Sequence, residues 1–396
     1  MIKVLYVVEP MLGIGPNIDA NLIAKKAARK FAEKVDIRIV LERDAFQREQ
    51  SPNVSWEYLT PWRLDFINDK LIDLSGNELS QEEKDKRASL LIDICNSYKP
   101  DVLLLHNYMS GSKWDAIIDF EMLPLIGFAK KQNSHIKIVS YMIGMLDGFE
   151  NVTKEEEDFF LVSVQKNMDK VFLRSDSLDL FIQTCPPAAC RPDLFVPVGY
   201  SADDDTPIKL LNTDDKYIIV SAGGGDIAIN LFKKSIETCA LLKDTVLGKY
   251  TWKVFLGPMQ EKNANELRNY SQSFGCADKV ELIIKADEKV FLSYLMYNCL
   301  ISISQCGQRT FTNLEVTGAR SILIPRESDG KEFEQLNRAQ YVDNIGRAKL
   351  IREKDMTPKI LADCVIQTYQ NTPTRLGLQM NGPENLLKSI VGICGE

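Results

Sequence analysis

Residues 301–346, ISISQCGQRTFTNLEVTGARSILIPRESDGKEFEQLNRAQYVDNIG, read in order as a strand, a glycine loop, a helix, a second strand, a polar loop and a second helix. The apolar run 300–303 ends at Ser304, Gln305 and Gly307, and a helical pattern with Phe311, Leu314 and Val316 opens near Thr310. A glycine loop therefore feeds a helix N-terminus. The unpaired N–H groups there, with about half a positive charge from the helix dipole, suit a phosphate or pyrophosphate. Five residues past Thr310 stands Glu315, a carboxylate able to accept both hydroxyls of a ribose. Residues 321–325 form a short strand closed by Pro325, and the next helix opens with Glu334, Gln335, Asn337 and Arg338. A glycine loop before a helix is weak evidence alone, but this combination outlines a nucleotide pocket.

The segment resembles the donor-nucleotide signature of GT-B glycosyltransferases, in particular the family 28 type that includes the peptidoglycan-precursor N-acetylglucosaminyltransferase and its soluble relatives. That signature runs Ser-x-Gly-Gly-x-Asn-Thr-x-x-Glu, then an apolar strand ending in Pro, then Glu-Gln-x-x-Arg-Ala or Gln-Gln-x-Asn-Ala. The matches are Ser304, Gly307, Thr310 and Glu315, then Ile324-Pro325-Arg326, then Glu334-Gln335 and Asn337-Arg338-Ala339. The resemblance implies that Glu315 binds the donor ribose and that Gln335, with Glu334, meets the donor sugar or its phosphates. Cys306-Gly307 stands for Gly-Gly and Arg309 for Asn, which reshapes the phosphate loop.

A chain of 396 residues exceeds one ordinary core and fits two α/β lobes. Apolar runs at 4–8, 37–41, 102–105 and 136–141 alternate with helical patterns, the sign of a mostly parallel sheet. A second alternation starts at Tyr217. We therefore expect an α/β protein, which the resemblance makes a GT-B fold of two doubly wound Rossmann-like lobes facing across a cleft. The boundaries expected are an acceptor-binding lobe at 1–200, an acidic linker at 201–215 and a nucleotide-sugar lobe at 216–375. In the resembling family the final helix, here 376–396, returns to the first lobe.

The run Ser221-Ala222-Gly223-Gly224-Gly225-Asp226 follows a strand and precedes a helix, so backbone can approach a pyrophosphate there. Gly224 and Gly225 are the residues expected to serve, since the Asp226 carboxylate would repel phosphate. In the first lobe, Gly13, Gly15 and Asn17 belong to a loop that the resemblance matches to the acceptor side, where the family text is Gly-x-Gly-His. The His position falls on Pro16, which cannot take a proton. Three replacement bases are His106 at the end of the strand 102–105, Asp19 one turn inside the acceptor loop, and Asp147 in a loop similar to one of the soluble relatives. Arg174-Ser175-Asp176 reads as a helix cap.

No Asp-x-Asp beside a strand suggests a metal, so no metal and no cofactor beyond the nucleoside-diphosphate sugar substrate is expected, and helix dipoles with Arg309 or Arg326 would steady the leaving diphosphate. The net charge of −7 gives no drive toward nucleic acid. Nine cysteines without a CxxC pair read as reduced thiols, and Met1-Ile2-Lys3 runs straight into a strand, so a cytoplasmic location is expected, with membrane contact at most peripheral. The activity implied is metal-independent, inverting transfer of a sugar to an unidentified acceptor, whether small molecule, glycan or lipid-linked. The alternatives are a nucleotide-sugar 2-epimerase or hydrolase of the same fold, or a non-catalytic sugar-nucleotide-binding subunit.

Overall fold

The structure is a computed structural model. It describes residues 1–8, 15–42, 48–65, 70–111, 115–146, 152–202, 216–222, 228–256, 263–284, 292–327, 333–372 and 374–395. Gly13, Asp147, Gly224, Gly225 and Asp226 lie outside them.

The described elements, in chain order, are β1 (Ile2–Val8), α1 (Gly15–Lys30), β2 (Val35–Glu42), β3 (Val54–Leu59), β4 (Arg63–Asp65), β5 (Lys70–Ile72), α2 (Gln81–Tyr98), β6 (Val102–His106), α3 (Asp119–Gln132), β7 (Lys137–Ile143), α4 (Lys154–Asn167), β8 (Lys170–Arg174), α5 (Leu178–Thr184) and β9 (Phe195–Pro197). There follow β10 (Tyr217–Ser221), α6 (Ile229–Leu241), β11 (Thr251–Phe255), α7 (Ala264–Ser273), β12 (Val280–Ile283), α8 (Leu292–Asn298), β13 (Cys299–Ser304), α9 (Gln308–Thr317), β14 (Ser321–Leu323), α10 (Glu334–Asn344), β15 (Lys349–Leu350), α11 (Pro358–Gln370) and α12 (Gly382–Gly395). The chain forms two compact units, one of Met1–Ser201 with Gln379–Glu396, the other of Ala202–Leu378.

In the first unit a parallel sheet runs β3-β2-β1-β6-β7-β8-β9. The chain moves outward from β1 in one direction and from β6 in the other, so the topological switch point lies between the ends of β1 and β6, where a doubly wound sheet takes its ligand. Strands buried on both faces explain the continuous apolar runs Val4–Val8 and Val102–Leu105. One face packs residues of α2, α3 and α4. The other packs α1 and the returning α12, whose Leu386, Leu387 and Ile390 are fully buried beside Val4, Tyr6 and Ile23. Glu384 of α12 holds Lys30 of α1.

The second unit repeats the plan with sheet order β12-β11-β10-β13-β14-β15, all pairs parallel. Its two faces differ. Ile218, Val220, Ile301, Ile303 and Ile322 build an apolar core with α6 and α11. The alternate positions Ser221, Ser302, Ser304 and Ser321 are buried on the opposite face. Strand alternation therefore gives this unit one oily face and one hydroxyl-rich face.

Candidate functional site

The signature segment folds in the order its sequence indicates. β13 ends at Ser304, Gln305 to Gly307 form the loop, and α9 opens at Gln308 with Gly307 as its N-cap. The helix therefore starts two residues before the Thr310 expected. At the C-terminal ends of the two central strands Ser304 pairs in register with Ser221, and both hydroxyls are buried without a hydrogen-bond partner among the described residues. Gln305 and Thr310 are buried, while Gly307 is half-buried.

The loop is held from α10. Gln335 Oε1 accepts the Cys306 N–H at 3.1 Å and the Arg326 N–H at 3.3 Å, so one side-chain oxygen joins the glycine loop to the turn after Pro325. Arg338 Nη1 donates to the Cys306 carbonyl at 2.6 Å, and its other arm pairs with Glu334. Glu334 and Gln335, expected to face the donor, thus commit one carboxylate oxygen and the amide oxygen to scaffolding, which leaves Gln335 its amino group for a ligand. Arg326 is buried beside them. Arg338 takes no role in the signature, although its place one turn after Glu334 is an ordinary ion-pair spacing.

Glu315 is placed elsewhere than expected. Its carboxylate is 5% exposed and turned into the second unit, where Oε1 accepts the Gly377 N–H at 2.8 Å and Oε2 lies 3.8 Å from Arg347 Nε. Burial lowers the Arg347 pKa, and Glu315 opposes that shift. Asn313 is only half-buried. At about 100° per residue it projects roughly 200° away from Glu315. It is also the third residue after Thr310, the spacing at which the signature carries its Glu. That count was the available signal.

The first unit gathers its polar candidates on the α1 side of the sheet. His106 ends β6, paired in register with Val8 and Tyr141. It is 2% exposed, Nδ1 is hydrogen-bonded to the Tyr6 hydroxyl, and Nε2 is buried with no partner among the described residues. Burial first, and the Arg174 charge second, push its pKa well below the usual histidine value. Burial likewise raises the Tyr6 pKa well above normal, and Asp19 adds to the shift. His106 thus stands at the end of β6 as expected, but as a buried imidazole flanked by Tyr6 and Tyr141, each with ring centroids 5.9 Å away.

Asp19 is also enclosed. Its carboxylate pairs with Arg174 Nη1, while Nη2 donates to Asn107 Oδ1, and both ion-pair side chains are at most 3% exposed. Arg174 therefore does not serve as a helix cap, which Ser177 supplies to α5. Its guanidinium lies 5.3 Å from the Tyr141 ring centre, and the Tyr141 hydroxyl meets Ser201 Oγ at 2.7 Å. Gly15 opens α1, Pro16 sits in its first turn, and Asn17 is buried with its carbonyl accepting from Arg48. Among the described residues, no group of three or more His, Cys, Asp or Glu side chains could hold a metal. No helix among them is long and apolar enough to cross a membrane.

Residues 245–389 match the glycosyltransferase family 28 C-terminal domain. This stretch, a little over a third of the chain, is where the likeness to that family lies. It contains Ser304, Gln305 and Gly307 at the braced loop, with Thr310 of α9, Arg326, and Glu334 and Gln335 of α10. A UDP-N-acetylglucosamine–N-acetylmuramyl-(pentapeptide) pyrophosphoryl-undecaprenol N-acetylglucosamine transferase of Rippkaea orientalis is 31% identical over 80 residues, which is 20% of this chain and 22% of that enzyme. In fold, the chain is similar to a UDP-GlcNAc 2-epimerase of Methanocaldococcus jannaschii solved with UDP-GlcNAc and UDP, at TM-score 0.61 and 11% identity, over 99% of this chain and 100% of that one. It is likewise similar to MurG of Acinetobacter baumannii, at TM-score 0.59 and 13% identity, over 98% and 99%. At these identities the likeness is one of fold, and the fold is GT-B. The family 28 match extends on both sides of the segment 301–346.

Proposed function

We propose that this chain is a glycosyltransferase whose second unit binds a nucleoside-diphosphate sugar and whose first unit binds the acceptor. The observation that carries the reading is the Cys306-Gly307 loop at the start of α9, held rigid by Gln335 and Arg338 within a family 28 domain. The first N–H groups of α9 have no partner inside the helix and suit a diphosphate. A uracil nucleotide is the probe of choice, since the Rippkaea orientalis enzyme and the Methanocaldococcus jannaschii epimerase are both described by UDP-sugars.

The reaction is attack of an acceptor nucleophile on the anomeric carbon, with inversion, while the nucleoside diphosphate leaves with the bonding pair. It proceeds without metal, the leaving charge being met by backbone N–H groups and Arg326. Asn313, on the open side of α9, is the residue we assign to the donor ribose, with Glu315 braced inward. Ser304, Gln305, Gly307 and Thr310 contribute the phosphate loop, together with Gly224 and Gly225 from the loop after β10.

Pro16 favours a second reading. A proline in the first turn of α1 takes no proton, and both His106 and Asp19 are enclosed by other partners. The same donor site would then serve a nucleotide-sugar 2-epimerase or hydrolase, or a subunit that only binds. Incubation with UDP-GlcNAc alone, with and without EDTA, separates these. Free UDP without acceptor marks a hydrolase, an isomerised sugar an epimerase, and turnover only on adding acceptor a transferase. Loss of turnover in EDTA would contradict metal independence. Thermal denaturation gives the prior test, because a ligand at about 100 times its dissociation constant adds about 2.7 kcal/mol. If neither UDP nor UDP-GlcNAc raises the melting point, the donor site is not where we place it.

A further inference from the structure

We infer that Glu315 is a latch through which nucleotide binding at the start of α9 is coupled to the order of the chain segment that leaves the second unit. The inference rests on the donor reading given above and goes beyond it.

Two contacts place residues 374–378 on the C-terminal end of α9. Glu315 Oε1 accepts the Gly377 N–H at 2.8 Å. Gly377 has φ +72°, a left-handed turn that an L side chain resists, and this turn supplies the amide that Glu315 holds. Gly318, the left-handed C-cap of α9 at φ +69°, lies so close under Arg375 that a Cβ there would come within 3.1 Å of its Nε. The brace behind the carboxylate is equally specific, because Arg347 faces Glu315 through Nε while donating to the Leu314 carbonyl at 2.7 Å and the Ala319 carbonyl at 2.9 Å.

Just beyond this grip the chain is gripped again. The Gln379 carbonyl accepts the Tyr200 N–H at 2.7 Å, and the Tyr200 carbonyl accepts the Gly382 N–H at 2.9 Å, both within the first unit. Between the residue held by Glu315 and the residue held by Tyr200 there is one position, Leu378. The Glu315 side chain leaves α9 about two turns, ~12 Å, from Gly307, on a rigid ten-residue helix. A ligand that draws on the N–H groups at one end of α9 thus loads or relaxes the amide held at the other.

Linkage makes the coupling reciprocal: if UDP tightens the latch, opening the latch must weaken UDP by the same factor. The measurement is hydrogen–deuterium exchange of peptides covering 374–381, with and without UDP, in the full chain and in Glu315→Ala and Glu315→Gln. In wild type we expect UDP to slow exchange in this segment at least threefold. In Glu315→Ala we expect at least tenfold faster exchange without ligand, no slowing by UDP, and a matching loss of UDP affinity. Glu315→Gln keeps an acceptor for Gly377 and should retain most of the protection. UDP binding by wild type with no change in exchange at 374–381 overturns the latch and leaves the donor site standing. Absence of UDP binding overturns both. The wild-type comparison decides even if Glu315→Ala does not fold.

Discussion

The Tyr6 hydroxyl is hydrogen-bonded to Nδ1 of His106 at the C-terminal end of the first unit's sheet, fixing a neutral imidazole where a doubly wound fold takes its ligand. Because burial holds the folded pKa well below 6.5, the folded and unfolded chains are both largely neutral at this residue above that value. As the pH falls below it, the unfolded chain takes up the proton first. Stability from His106 is thus complete above about pH 6.5 and is lost on acidification toward its folded pKa, at up to ~1.4 kcal/mol per pH unit. Urea titrations at pH 7.5 and 5.5 should show this slope in wild type and about one proton less in His106→Gln. Equal slopes would mean that His106 is accessible and ordinary, restoring it as a base.

Asp19 and Arg174 make a second test of the same cluster. Both side chains are withdrawn from solvent, and Asn107 takes the other guanidinium arm. Removing one partner of such a pair leaves a buried charge, at a typical cost of about 3–5 kcal/mol. Asp19→Ala should lower stability to urea by that order. Arg174→Met, in the Asp19→Leu background, should recover much of the loss, since an apolar pair leaves no charge behind. If Asp19→Ala instead removes activity with stability intact, Asp19 is the base and not a brace.

Gln335 accepts two backbone N–H groups with one oxygen, so Gln335→Ala leaves both without that partner. We expect a loss of about 1–3 kcal/mol in stability and of roughly tenfold in UDP affinity by calorimetry as the Cys306 loop slackens. Gln335→Glu restores the acceptor but sets a carboxylate toward the diphosphate. Stability should return while affinity does not. Recovery of both in Gln335→Glu would show that the side chain does not approach the ligand.

The alternation of strand and helix is legible in the sequence because parallel strands buried on both faces are written as uninterrupted apolar runs, as at Val4–Val8. Short strands such as Phe195–Pro197 and Lys349–Leu350 carry too few residues to show a period, and only pairing with β8 and β14 makes them strands. The glycine loop and α10 were legible as places but not as contacts. That Gln335 would turn its oxygen to Cys306 depends on two segments 29 residues apart meeting. His106 reads as polar and therefore open, yet Tyr6 and Tyr141 from neighbouring strands enclose it, and no local pattern encodes that. Glu315 shows the sharpest limit. A carboxylate in a signature helix is read as a ligand group until its helical phase is counted.

That phase yields the last prediction. Asn313 and Glu315 lie on opposite sides of α9, and the outward residue is the amide. A carboxylate accepts from both ribose hydroxyls, whereas an amide offers one accepting oxygen beside an N–H₂ donor. Wild type should therefore distinguish UDP from dUDP weakly, within about threefold, because only one hydroxyl is held strongly by the amide oxygen. Asn313→Glu restores a double acceptor, and a hydrogen bond to a charged group is worth about 1.5–3 kcal/mol, so preference for UDP should rise to roughly tenfold or more. Asn313→Ala should weaken UDP several-fold with the melting point nearly unchanged, since the side chain is half-exposed and has no hydrogen bond among the described residues. Calorimetric titration of both nucleotides against the three proteins checks this. Affinities that ignore position 313 would mean the ribose lies off α9 altogether, and the nucleotide must then be sought nearer the loop after β10.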